Sequence, residues 1–175
     1  SYLTSSDNFC GCGGQTDGLI RAAKRLKIHV EPVIGLNHWD KACESYQANW
    51  PNARVVRTDI SAADPRWFPT TDIHLTSPEC TKHSKGGGRK AVKDQLELFE
   101  KGLLDPAAER SRATMWDVPR FGEYHDYRIV VTENVVEART KWAPYKAWLQ
   151  SMYSLGYVHK TIYANSKFFY PCPQS

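Results

Sequence analysis

The sequence predicts an α/β domain with a mostly parallel sheet and helices on both faces, and three observations carry that expectation. Short apolar segments rich in β-branched residues alternate with segments whose apolar residues recur at helical spacing. Parallel strands need a long crossover between them, which such helices supply. Gly11, Gly13 and Gly14 cluster between the first strand and the first helix, where backbone must approach a ligand or a neighbouring element closely. The chain has 175 residues, 41% of them hydrophobic and 24% charged, enough for one domain with a substantial core.

The elements follow in order. Residues 2–5 read as a first strand entering the glycine turn. Thr16 or Asp17 is placed to cap the next helix, whose inner stripe is Leu19, Ile20, Ala23 and Leu26. Residues 30–36 form a second strand, and 39–50 a helix stopped by Pro51, because proline disfavours helical geometry in the residue before it. Residues 53–58 and 72–76 are the third and fourth strands, 127–133 a strongly β-branched fifth and 157–164 a sixth, with a helix over 143–155 between the last two. The interval 77–124 breaks this rhythm. There Gly86, Gly87 and Gly88 stand among Lys82, Lys85, Arg89, Lys90 and Lys93, the pattern of a mobile basic loop at a strand end, assigned to 81–110.

Composition excludes several classes. Apolar runs such as 129–131 and 33–36 are far shorter than the roughly 20 residues of a membrane-spanning helix. The chain opens on Ser1 without a basic and apolar leader, so no secretory signal is expected. It closes on Pro-Cys-Pro-Gln-Ser, and both ends look cut. The formal charge, 23 − 19 = +4, permits an anionic partner without requiring one. Five cysteines with no CxxC pair favour neither a disulfide framework nor a zinc site, so a reducing compartment and no metal are expected.

The chemistry-bearing residues fall at strand ends, where ligands of parallel sheets sit. The turn Asp7-Asn8-Phe9-Cys10-Gly11-Cys12-Gly13-Gly14 lacks the Gly-Lys-Ser/Thr of a phosphate-binding loop. After the second strand come Asn37, His38, Trp39 and Asp40, where a dinucleotide fold expects an acid for the ribose. Trp39 there suits stacking on a purine as well as it suits a core. Asp59 and Ile60 follow the third strand. The fourth leads through Ser77-Pro78-Glu79 to Cys80, whose thiolate Lys82 and His83 favour and Glu79 opposes. The fifth ends in Thr132-Glu133-Asn134-Val135, which brings a carboxyl group to the same rim.

Taken in order, these segments resemble the DNA cytosine-5 methyltransferases. Residues 7–14 resemble the family's Asp-x-Phe-x-Gly-x-Gly-Gly turn, and 37–40 the Asn-Glu-Trp/x-Asp segment that holds the adenosine. Asp59-Ile60 is similar to the pair flanking the adenine, and Cys80 with Ser84 to the nucleophile segment Pro-Cys-Gln-x-x-Ser. Residues 111–115 resemble Ser-Arg-Gly-x-Leu opening the next helix, 133–135 match Glu-Asn-Val, and 164–174 resemble Ala-x-x-Tyr-Gly-x-Pro-Gln.

The resemblance implies a Rossmann-like S-adenosylmethionine-dependent methyltransferase fold. It also implies methyl transfer to C5 of cytosine in double-stranded DNA, leaving S-adenosylhomocysteine. Cys80 is implied as the nucleophile that adds to cytosine C6, and Glu133 as the carboxyl group at N3. Phe9, Cys10, Gly11, Cys12, Gly13, Gly14, His38, Trp39, Asp59, Ile60 and Met115 are implied as cofactor-binding. Ser84, Lys85, Arg89, Lys90 and Arg112 are implied as DNA-binding, with the target base flipped out and the basic loop closing over the duplex. Such an enzyme is expected in the cytoplasm with the DNA, encoded by a bacterium or phage. The readings kept beside it are a transfer-RNA cytosine-5 methyltransferase, a non-catalytic cofactor- or DNA-binding module, and, more remotely, a nicotinamide-dependent oxidoreductase.

The chain departs from the family pattern at four places. Glu79 stands where the proline before the nucleophile is expected, and His38 where an acid is expected. The segment from Cys80 to Arg112 is long, and the sequence stops before the Arg-x-Arg pair and the target-recognition domain. The expectation is a fragment or one subunit of a split enzyme, with little activity alone and a second polypeptide or a further carboxy-terminal region supplying target recognition.

Overall fold

In the computed structural model, which describes residues 2–79 and 106–165 with side chains from 114 onward in the second segment, the alternating pattern becomes a five-stranded parallel sheet of order β3-β2-β1-β4-β5. The strands are β1 (Tyr2–Asn8), β2 (His29–Asn37), β3 (Arg54–Arg57), β4 (Ile73–Thr76) and β5 (Ile129–Thr132). The helices are α1 (Gly14–Arg25), α2 (Asp40–Asn49), α3 (Pro106–His125), α4 (Val136–Thr140) and α5 (Tyr145–Ser154), with a 3-10 turn at Pro65–Trp67. The chain runs outward from β1 through β2 to β3, then returns to the other side of β1 for β4 and β5. That reversal opens a crevice beyond the carboxyl ends of β1 and β4.

Side chains alternate between two layers, as the pleat requires. Ile73 and Leu75 of β4 pack with Ala23 and Val30, against Leu19 and Ile20 of α1. His74 between them faces the opposite layer, stacking on Tyr127 at 4.4 Å and on Phe121 of α3 at 6.1 Å. Its Nδ1 lies 2.8 Å from Ser6 Oγ, and burial holds its pKa down to about 3, so the ring is neutral.

Several local expectations change. β1 continues through Ser5, Ser6, Asp7 and Asn8, all buried. Flanked by β2 and β4, this central strand gives polar residues backbone partners that a local reading assigns to a turn. Thr16 is not a cap. Gly13 occupies that position without a side-chain bond, while Thr16, fully buried, donates to Asp7 Oδ2 at 2.7 Å. Leu26 is exposed rather than on the inner stripe. The expected sixth strand is absent among the described residues: 157–165 have no regular structure, and Val158 and Ile162 are exposed. Gly156, at φ 89, and the bond from Tyr157 N to Met152 O close α5 instead. The stretch assigned to a loop through residue 110 turns helical at Pro106, and α3 then runs 20 residues through Pro119. Residues 81–105 lie outside the described residues.

Candidate active site

Three strand ends are stitched together beside the glycine turn. Beyond β1, Phe9, Gly11 and Gly13 adopt positive φ of 62°, 52° and 88°, which doubles the chain back into α1. Left-handed geometry suits the two glycines and is uncommon for Phe9, whose ring packs on the core. Gly13 N donates to Cys10 O at 2.8 Å, and Asp17 N to Gly13 O at 2.9 Å. A Cβ on Gly11 or Gly14 would meet open space, so the outer side of the turn is clear. On its inner side α2 braces it: Asn49 Nδ2 donates to Cys12 O at 2.8 Å, and the Trp50 indole lies where a Cβ on Gly13 would stand. Tyr46, one turn earlier, places its hydroxyl 3.1 Å from Thr16 Oγ1.

Beneath the turn, the Asp7 carboxyl is pushed up to about 7 by burial, against the opposing pull of its hydrogen bond from Thr16. Burial likewise pushes the Cys10 thiol up, making it inert near neutral pH. Cys10 packs with Tyr46 and Ala53, so it can offer a ligand only backbone. Cys12 is an exposed free thiol.

The tip of β2 presents Asn37, His38 and Trp39. Asn37 is buried, and its Oδ1 accepts from Trp39 N at 3.0 Å, which fixes the turn and leaves the Trp39 ring 62% exposed. Asp40 is drawn the other way, its Oδ1 2.6 Å from Arg57 Nε on β3. His38 Nδ1 is 3.8 Å from Glu79 Oε1, across the end of β1.

After β3, Asp59 Oδ1 accepts from Ser61 N at 3.1 Å. Ile60 is buried in the core beside Ile34, Leu36 and Phe121, so its side chain packs inward. Arg120 of α3 lashes this loop down, donating to Ile60 O and Ala63 O at 2.6 Å each and to Asp117 Oδ1 at 2.8 Å. Met115 is buried beneath α5, where its carbonyl accepts from Trp148 Nε1 at 2.7 Å.

The approach to Cys80 is held at each described residue. Ser77 N donates to Asn8 O at 3.2 Å, and Gln15 Nε2 to Ser77 Oγ. Asn134 Nδ2 donates to Pro78 O at 3.2 Å, while Asn134 Oδ1 accepts from Val135 N at 2.8 Å. Glu133, exposed, is anchored through its backbone N–H to Thr76 O at 2.9 Å. Cys80 itself, with Ser84, Lys85, Arg89 and Lys90, lies outside the described residues, as does the side chain of Arg112 on α3.

The structure thus gathers residues 9–14, His38, Trp39 and the entry to Cys80 on one edge, with Glu133 at the neighbouring strand end. It sends the side chains of Cys10, Ile60 and Met115 inward. Sequence reasoning missed Gln15, Tyr46, Asn49 and Trp50. The last three recur at helical spacing along α2 and the residue that follows it, a periodicity that reads as core packing because it carries no sign of what the face packs against. A cavity of about 540 Å³ lies between β5, α5 and residues 157–164, with Met115, Asn134 and Val135 in its wall. Among the described residues no cluster of His, Cys, Asp or Glu could hold a metal, and no helix is long and apolar enough to cross a membrane.

Comparison with known proteins gives the family and the fold. The family model for C-5 cytosine-specific DNA methylases matches residues 3–175. Three solved structures share the fold. A prophage-encoded E. coli protein assigned as a DNA modification methyltransferase has a TM-score of 0.61 at 18% identity, over 87% of this chain and 37% of its own. The S. pombe Dnmt2 methyltransferase gives 0.58 at 13% identity, over 88% and 41%. The Spodoptera frugiperda DNMT2 mutant gives 0.54 at 16%, over 87% and 41%. The chain therefore spans about two fifths of the length of these structures. No curated protein matches it. The sheet is that of the Rossmann-like S-adenosylmethionine-dependent methyltransferases. By the match over residues 3–175, the chain belongs to the C-5 cytosine-specific DNA methylase family.

Proposed function

We propose that this chain carries the cofactor-binding and nucleophile-bearing part of an enzyme that methylates C5 of cytosine in double-stranded DNA. The observation that carries this reading is the stitching of the Cys80 approach: Ser77 is bonded to Asn8 at the mouth of the glycine turn, and Pro78 to Asn134 beside Glu133. Such bonds support the reading by joining the entry to Cys80 to the glycine turn and to the segment of Glu133.

The residues present fit an adenosine-bearing cofactor. Open space outside Gly11 and Gly14 admits a ligand against the backbone, and the exposed Trp39 ring offers a stacking face. Asp59 stands at the next strand end for the adenine, while Cys10 and Ile60 pack beneath their turns from within. When bound, S-adenosylmethionine supplies a methyl group activated on a sulfonium.

Cytosine C5 is a weak nucleophile. The Cys80 thiolate adds to C6, forming a C–S bond and pushing the ring electrons toward N3, where the Glu133 carboxyl group stabilises the protonated ring. The resulting enamine is nucleophilic at C5. After C5 is methylated its proton goes to a base, the C–S bond breaks, and the thiolate is released. C6 is unreachable in a stacked duplex, so the target base must be flipped out. Ser84, Lys85, Arg89, Lys90 and Arg112 are the groups proposed to contact the DNA. Target recognition is proposed to come from a further region or a second polypeptide, and the enzyme to act with DNA in the cytoplasm of a bacterium or on behalf of a phage.

The test is covalent trapping by the completed protein, with the region or partner that supplies target recognition present, on duplex DNA carrying 5-fluorocytosine in the presence of S-adenosylmethionine, with a transfer RNA carrying the same base in parallel. An adduct on DNA that vanishes in Cys80→Ala is expected. An adduct on RNA alone would replace DNA with RNA as the substrate. Cofactor and DNA binding without any adduct would make the protein a binding module.

A further inference from the structure

Parallel-sheet nucleotide sites hold a ribose at the tip of the second strand on an acidic side chain, because a carboxylate accepts both hydroxyls of the diol. No acid at this tip is placed to do so. Asn37 spends its side-chain oxygen on Trp39 N, and Asp40 is paired with Arg57 at 2.6 Å, toward β3. An imidazole carries at most one acceptor nitrogen, so His38 cannot accept from both hydroxyls. The carboxylate that does reach the tip comes from the far side of β1. Glu79, three residues past β4, places Oε1 3.8 Å from His38 Nδ1 with its side chain 29% exposed. His38 and Glu79 are also two of the places where this sequence departs from the pattern it resembles, an acid missing at one and an acid gained at the other. In the fold the two departures meet.

We propose that Glu79 is the ribose-binding acid of this site, accepting the 2′- and 3′-hydroxyls of the adenosine-bearing cofactor beside His38. The assignment rests on the S-adenosylmethionine reading above. It makes the residue next to the nucleophile a direct contact of the cofactor, so an occupied site and an ordered approach to Cys80 become one event.

Equilibrium calorimetry with S-adenosylhomocysteine and with its 2′,3′-dideoxy analogue tests this without any turnover. The natural protein should prefer the diol-bearing ligand by about ten-fold or more, the usual scale of hydrogen bonds to a charged acceptor. Glu79→Gln should lose that preference, binding both ligands about as the natural protein binds the dideoxy one. Unchanged thermal unfolding of Glu79→Gln would show that the fold is intact. A preference that survives in Glu79→Gln, or an equal loss for both ligands, overturns the assignment. If the natural protein binds both ligands equally, the Glu79 assignment falls and the cofactor reading stands. If it binds neither, both fall.

Discussion

Gly35→Ala is the most direct probe of how α2 supports the glycine turn. A Cβ on Gly35 would stand 2.7 Å from Tyr46 Cε1, 2.9 Å from Cζ and 3.0 Å from Cδ1. Carbon atoms in contact rest about 3.5–4.0 Å apart, so the ring would have to retreat by about 0.5–1 Å. Tyr46 is 1% exposed and has nowhere to go. Overpacking of this kind costs about 1–3 kcal/mol. Displacing the ring also stretches its hydroxyl away from Thr16, now at 3.1 Å, for about 1 kcal/mol more. The expected loss is therefore about 2–4 kcal/mol, a large part of the roughly 5–15 kcal/mol that holds a domain folded. Urea unfolding followed by circular dichroism should show a lower midpoint at an unchanged slope. In a Tyr46→Leu background, the same substitution should cost less than about 1 kcal/mol, because the ring it collides with is gone. Equal costs in the two backgrounds, or no cost in the natural one, would refute the reasoning.

Other outcomes follow from named contacts. Gly18, inside α1 with nothing within 4 Å of its missing Cβ, should accept Ala with a gain of about 0.5–1 kcal/mol in the same urea assay. Asp7, raised to about 7 from an ordinary 3.8, keeps a proton in the folded state that the unfolded chain has lost. Its contribution to stability therefore falls as pH rises from about 4 to 7 and then levels, and Asp7→Asn should remove that slope from a pH series of urea midpoints. His74 shows the opposite limb. Lowered to about 3 from 6.5, it contributes stability that is present above 6.5 and lost as pH falls toward 3, and His74→Phe should flatten that limb while keeping the ring stack. In the completed enzyme, Asn134→Ala frees the carbonyl of Pro78 beside Glu79 and should slow methyl transfer about ten-fold, with S-adenosylhomocysteine affinity by calorimetry falling alongside.

Much of the frame was legible because alternation, glycines and β-branched runs are local signals. The strand order could be anticipated only as a class, whereas the placement of β1 at the centre explains why Ser5 to Asn8 remain strand. Residues 157–164 carry the same β-branched signature as β5 but form no strand, since side-chain pattern says nothing about whether a neighbouring edge is there to bond. α3 was hidden by the glycine-rich stretch before it and by Pro119 within it. At the site, motif order located the strand ends, but burial decided which side chains can face a ligand: Trp39 remained outward, while Ile60 and Met115 turned into the core. The His38 and Glu79 pairing joins residues on two strand ends separated by β1, a proximity no local pattern encodes.

The two tryptophans at this edge also give the protein a built-in optical reporter. Trp39 stands mostly in solvent at the tip of β2, whereas the Trp50 indole is pressed against Gly13 under the turn. A purine laid on Trp39 would dim and shift the red-edge emission of an exposed indole. Motion of the turn would register on Trp50 in its drier setting. Ligand occupancy and backbone response can thus be read from one unlabelled sample, with Trp39→Phe as the blank for the first and Trp50→Phe for the second.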